Sequence, residues 1–248
     1  KRKFDADMDS VVNDYQSAID AFDRYFEIEG PDKTKDDYDD IADPEFVKPD
    51  QAYLFRAIAK ISKANEEGAA GQSGLYQSAI ADAEKVLEFD EASVTAIYQK
   101  GVAQRMMGNL EGAADTFTDA LKMAPQFGDA LLRRGIVYYY LNELESARGD
   151  FHNVIANSEI PDGRADFWIG VSYAKEGNFD EAIRMYTRTI RLNPAYKPAY
   201  NNRGLALMKL GRYDRAARDF EELIRRDRND SVARQRRDMA RQMMNQQR

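Results

Sequence analysis

An all-α fold, a solenoid of stacked helix-turn-helix units, is predicted by three features of the chain. Gly101, Gly135, Gly170 and Gly204 recur at steps of 34, 35 and 34 residues. Each is followed twelve positions later by Ala113, Ala147, Ala182 or Ala216, and four further on by Phe117, Phe151, Tyr186 or Phe220. Pro125 and Pro194 close two of the units. A period of this size, with small residues at fixed offsets, belongs to helical hairpins that cannot bury their apolar faces alone and stack to do so.

Each recurring residue has a physical reason. Glycine inside a helix costs about 1 kcal/mol relative to alanine, so four of them at one register predict close packing there. The expectation is that two helix backbones approach at each glycine. The alanine then supplies a matching small surface and the aromatic ring fills the gap beside it. Gly108, Asn142, Gly177 and Gly211 fall where each hairpin must turn, and a positive φ suits glycine or asparagine there.

Taken in order, residues 1–30 form a degenerate helical unit, with Tyr15, Ala18, Phe22 and Tyr25 at helical spacing and Gly30-Pro31 as the stop. Residues 31–49 form an acidic loop, led by the run Asp32 to Asp40. That run lacks the central glycine and closing glutamate of a calcium loop. Residues 50–93 form a divergent unit with helices at Ala52–Lys63 and Tyr76–Phe89 and a glycine-rich linker, Glu66 to Gly74, inserted at its turn. Tyr76, Ala79, Ala83 and Val86 form the packed face of its second helix. Regular units follow at 94–127, 128–162, 163–196 and 197–230. A capping helix occupies 231–248, with Val232, Met239 and Met243 as its apolar side and Arg234, Arg237 and Arg241 elsewhere.

Composition bounds function. The chain has 248 residues, 43% hydrophobic and 32% charged, ample for a core and without a stretch resembling a membrane span. With no cysteine there is no disulfide framework, thiolate metal site or catalytic thiol. The net charge of −7 argues against nucleic acid as the main partner. From Asn201 onward there are 13 Lys and Arg against 7 Asp and Glu, so the end of the chain is basic and the rest acidic. The expected location is soluble and cytoplasmic by default, or exported or anchored should a leader precede Lys1. Membrane association is expected only through such a segment.

The glycine, alanine, aromatic and proline positions resemble the tetratricopeptide repeat family over Val94 to Asp230. The resemblance implies a right-handed α-solenoid whose first helices line a concave groove. It places Tyr98, Gln99 and Arg105 there, then Leu132, Arg133, Ile136, Tyr139 and Tyr140, then Phe167 and Trp168, then Asn201 and Asn202. The set is rich in the residue types that dominate binding hot spots. The single tryptophan, Trp168, either meets a partner or packs between adjacent first helices. Asp166 holds the slot where the family often places tryptophan. The family's two-carboxylate clamp of lysines, asparagines and an arginine is absent: the slots hold Tyr98, Val102, Arg133, Arg164 and Trp168, or in the last frame Phe167, Val171, Asn202, Val232 and Arg236. The groove resembles a binder of an apolar peptide or helix.

No phosphate loop, nucleophile elbow or dinucleotide fingerprint occurs, and the lone His152 reads as an exposed or half-packed helix residue. Carboxylates read as solvated helix faces. No catalytic residue, metal or cofactor is expected, and the chain reads as a non-enzymatic scaffold that binds a protein partner. A second reading is a homo-oligomer in which acidic N-terminal and basic C-terminal surfaces meet. A basic surface at Arg225, Arg226, Arg234 and Arg237 could take an acidic ligand, but Asp227, Asp230 and Asp238 make a solvated arginine face the simpler explanation.

Overall fold

The computed structural model describes residues 15–27, 48–67 and 73–247, which form α-helices and no strands. The chain divides inside α6 into two compact units, Lys1–Arg133 and Arg134–Arg248.

The first unit contains α1 (15–27), α2 (Pro49–Glu67), α3 (Ser73–Phe89), α4 (Val94–Met106), α5 (Leu110–Met123) and the start of α6 (Gly128–Tyr140). On α1 the buried residues are Ile19 and Phe26, with Phe22 and Tyr25 half-buried, so the packed stripe sits one position later than the spacing predicts. Phe26 stacks on Tyr53 of α2 with ring centroids 4.0 Å apart. The helices of the divergent repeat are longer than expected. Glu66 and Glu67 finish α2 and Ser73 and Gly74 open α3, so both ends of the predicted linker are helical, and residues 68–72 lie outside the described residues. Pro49 at the start of α2 and the run Lys63 to Glu67 suit a helix, and they outweigh the pull of neighbouring glycines. Tyr76, Ala79, Ala83 and Val86 are buried on α3. Of the acidic loop at 31–49 only Lys48 and Pro49 lie among the described residues, as do none of the residues of its acidic run.

The second unit holds the rest of α6, then α7 (Leu144–Asn157), α8 (Arg164–Lys175), α9 (Phe179–Leu192), α10 (Lys197–Lys209), α11 (Tyr213–Arg226) and α12 (Ser231–Gln246). Its core gathers Ala182, Tyr186, Ala216, Phe220, Leu223, Ala233 and Ala240, among others.

The repeated residues act as one lock. A Cβ on Gly101, Gly135, Gly170 or Gly204 would stand 2.8, 2.6, 2.7 or 2.8 Å from a ring carbon of Phe117, Phe151, Tyr186 or Phe220. The ring itself therefore closes on the glycine, where backbone against backbone was expected. The alanine twelve residues on is wholly buried in every unit. Burial of each ring contributes about 2–3 kcal/mol. The hairpin turns are alike: Gly108, Asn142, Gly177 and Gly211 have φ of +83°, +67°, +84° and +70°. The next amide in each case donates back to the last turn of the first helix: Asn109 to Gln104, Glu143 to Tyr138, Asn178 to Tyr173 and Arg212 to Leu207, at 2.8–3.0 Å. This is the left-handed C′ residue of a Schellman motif, which satisfies carbonyls a helix end would otherwise leave bare.

Carboxylates are not confined to solvated faces. Asp82, Asp150, Asp166 and Asp219 are buried. Arg134 holds Asp150 through Nε and Nη2 at 2.8 and 2.7 Å, and Arg203 holds Asp219 the same way at 2.9 and 2.7 Å. In the first unit Arg56 and Lys60 share Asp82. For Asp82, Asp150 and Asp219 burial is tolerated because a two-pronged guanidinium satisfies both carboxylate oxygens.

The last helix packs differently from expectation. It is Ala233 and Ala240 that face α11, while Val232 is 49% and Met239 47% exposed. Small residues let α12 approach closely, which leaves the longer apolar side chains on its open side.

Candidate partner-binding face

In the second unit the first helices α6, α8 and α10, followed by α12, occupy equivalent positions. Their side chains at helical spacing point to one face. Tyr139, Tyr140 and Trp168 cluster there. Trp168 lies 5.5 Å from Tyr139 and 6.4 Å from Tyr140, and the two tyrosine rings meet edge-on at 5.4 Å. Trp168 is half-buried and also stacks at 6.4 Å on Phe151, so it both braces adjacent helices and keeps surface. Tyr140 is 56% exposed. Lys175 Nζ sits 4.6 Å above the Tyr139 ring and donates to the Tyr139 carbonyl at 3.1 Å. Burial, reinforced by Tyr140, raises the Tyr139 hydroxyl above its ordinary pKa and keeps it a neutral donor.

Phe167 does not belong to the open face. It is buried between Tyr186 and Tyr196, with centroids 5.7 and 5.1 Å away, because the larger rings of this repeat draw it inward. Leu132 in the first unit is likewise buried. Ile136 is half-buried on α6. Asn201 donates to Asn202 at 3.1 Å and accepts from Arg236 of α12. Asn202 also bonds the buried Tyr186 hydroxyl, whose pKa burial drives upward. Leu205 beside them is 37% exposed.

In the first unit Tyr98 lies 5.0 Å from Phe127 and 5.9 Å from Phe117, and its hydroxyl accepts from Arg133 Nε at 2.7 Å. Tyr98 and Arg133 thus hold each other in place. Gln99 and Arg105 are half-buried on α4, and Arg105 Nη2 donates to Met106 Sδ at 3.1 Å.

The predicted basic surface is largely paired within the chain. Arg225 and Arg226 both meet Glu222, and Arg226 also lies 5.0 Å over the Tyr200 ring. Arg237 pairs with Asp238, and Arg234 donates to the Arg228 carbonyl at 2.7 Å. His152 is exposed. Asp166, 1% exposed, has Arg188 Nη1 at 3.2 Å, and burial raises its pKa despite that cation. Among the described residues no group of His, Asp and Glu could hold a metal ion, and no helix is long and apolar enough to cross a membrane.

Sequence reasoning missed the buried Arg–Asp pairs. Their signal was present: Arg134 and Arg203 directly precede a repeat glycine, and Asp150 and Asp219 directly precede the ring that covers it.

These helical hairpins define a repeat protein. The tetratricopeptide repeat model of the family matches residues 98–156, 132–196 and 169–232, together more than half of the chain, and the protein belongs to that family. Among curated relatives, it is 27% identical over 143 residues to the probable UDP-N-acetylglucosamine–peptide N-acetylglucosaminyltransferase SPINDLY of Hordeum vulgare. That match covers 55% of this chain and 15% of the relative. It is 40% identical over 70 residues to the chloroplastic tetratricopeptide repeat domain-containing protein PYG7 of Arabidopsis thaliana, covering 28% of this chain and 23% of that one. The chain thus spans less than a quarter of either.

Solved structures of the same fold include MamA residues 41-end from Desulfovibrio magneticus RS-1, with TM-score 0.63, 18% identity and coverage of 75% of this chain and 98% of that one. The Cut9–Hcn1 structure gives TM-score 0.67 at 16% identity over 92% and 40%. YrrB, described as a tetratricopeptide protein with an unusual peptide-binding site, gives TM-score 0.54 at 25% identity over 71% and 89%.

Proposed function

We propose that this chain is a non-enzymatic interaction scaffold that takes a peptide or helix of a partner protein on the first-helix face of its second unit. The observation that carries the reading is the Tyr139–Tyr140–Trp168 cluster, mounted on rigid helices with Tyr140 mostly open. Aromatic side chains of this kind offer large area at small entropic cost. The likeness to YrrB, whose description names a peptide-binding site, supports the same use. The lack of cysteine and the single, exposed histidine support a role without catalysis.

Selection of a displayed random-peptide library on the full chain tests this. Peptides recovered on the wild type should lose affinity on Tyr140→Ala, at unchanged melting temperature. Recovery of the same peptides at the same affinity on both proteins refutes the reading. Self-association of acidic against basic surfaces has less support, because the C-terminal arginines already meet Glu221, Glu222 and Asp238. Light scattering over a salt series separates the two, since charge-driven oligomers loosen as screening rises.

A further inference from the structure

Resting on the reading just given, we infer that the partner segment carries acidic side chains beside its apolar stripe, and that Lys175 and Lys209 receive them. On α8, α10 and α12, the residues at helical spacing that share the face of Trp168 include no carboxylate, although the whole chain carries a net charge of −7. Lys175 and Lys209 occupy the same slot of successive repeats, at the ends of α8 and α10, and both are exposed. Neither meets a carboxylate among the described residues: Lys175 rests on the Tyr139 ring and carbonyl, and Lys209 has no ion pair. Other cations lie at the same spacing: Arg236 on α12 is committed to Asn201 and Arg164 at the start of α8 to Asp162, while Lys197 stands at the opposite end of α10 from Lys209.

Helix ends favour cations through the macrodipole, which accounts for lysine at these positions in isolation. It does not account for the lack of a carboxylate on this face of α8, α10 and α12. One turn before Lys209 on α10, and at the equivalent position of α12, lie exposed apolar side chains, Leu205 and Met239. An apolar track with cations along one margin matches an amphipathic segment with carboxylates along one margin. Neighbouring first helices stand about 10 Å apart, so a helix laid across them would place its carboxylates roughly two turns apart. The recognition differs from a clamp on a chain-terminal carboxylate, since the cations sit at the helix ends and act on side chains.

The probes are the peptides selected by display on the full chain, each synthesised again with every Glu and Asp replaced by Gln and Asn, and measured by fluorescence anisotropy. The acidic versions should bind about tenfold more tightly at low salt, and the gap should close toward 1 M salt. The double variant Lys175→Glu/Lys209→Glu should erase the preference, and Lys209→Glu alone, which leaves the contact of Lys175 with Tyr139 in place, should reduce it severalfold. Acidic and neutral versions binding alike, or a preference that survives the charge reversal, overturns this inference while Tyr140 dependence keeps the interaction reading standing. Peptides indifferent to Tyr140→Ala overturn both.

Discussion

Gly135→Ala is the sharpest probe of the repeat lock. The new Cβ would lie 2.6 Å from Phe151 Cε1 and 3.0 Å from Cδ1 and Cζ, against an optimum of about 3.5–4.0 Å for carbon contacts. The ring must retreat by about 1 Å, yet Phe151 is fully buried and backed by Trp168. Overpacking of this kind costs about 1–3 kcal/mol, while the helix propensity of alanine returns about 1 kcal/mol. The net loss should be up to about 2 kcal/mol. Gly149 is the matched control: it is mid-helix in α7, exposed, and a Cβ there meets nothing within 4 Å. Gly149→Ala should gain up to about 1 kcal/mol from propensity alone. Thermal melting followed by circular dichroism should therefore separate the two variants by on the order of 2–10 °C. Adding Phe151→Leu to Gly135→Ala should show positive coupling in a double-mutant cycle. A Gly135→Ala protein that melts as high as Gly149→Ala would refute the close-packing argument.

Three further outcomes are expected. Asp219→Ala removes the only anionic partner that Arg203, 17% exposed, has among the described residues and leaves it Thr187 Oγ1, and should cost about 2–4 kcal/mol in urea unfolding, whereas Arg218→Ala, which removes an exposed pair, should cost under about 0.5 kcal/mol. Asn142 has φ +67°, so Asn142→Gly should be neutral or stabilising and Asn142→Val should lower the melting temperature by an amount equivalent to about 1–2 kcal/mol. Burial raises the folded-state pKa of Asp166, so its ionisation opposes folding above that pKa and the penalty fades as pH falls toward the ordinary value of 3.8. Asp166→Asn should then raise the melting temperature at pH 7, with an advantage that shrinks on acidification; an advantage independent of pH would contradict the assignment.

The scaffold was largely legible because its constraints are local and repeated. Glycine opposite a ring, and glycine or asparagine at a left-handed turn, are each dictated by sterics within one hairpin, so period alone located them. The candidate site was legible only in part. The resemblance to the repeat family put Tyr139, Tyr140 and Trp168 on the first-helix face, but neither it nor helical spacing could tell that Phe167 and Leu132 would turn inward, because that depends on how large the neighbouring rings are. It also misjudged α12, where two alanines outcompeted Val232 and Met239 for contact with α11. Spacing reports which residues share a stripe and does not report which of two stripes packs more closely.

The sequence by itself determined the all-α repeat, its register and its turns, since each follows from backbone sterics and the need of every hairpin to bury one apolar face. The tertiary structure alone decided which polar groups go inside with partners, as with Asp150 and Asp219, and which apolar and basic side chains remain open, as with Tyr140, Leu205 and Lys209. Burial and pairing are properties of neighbours brought together across helices, where residue type sets the cost of each arrangement and packing selects among them.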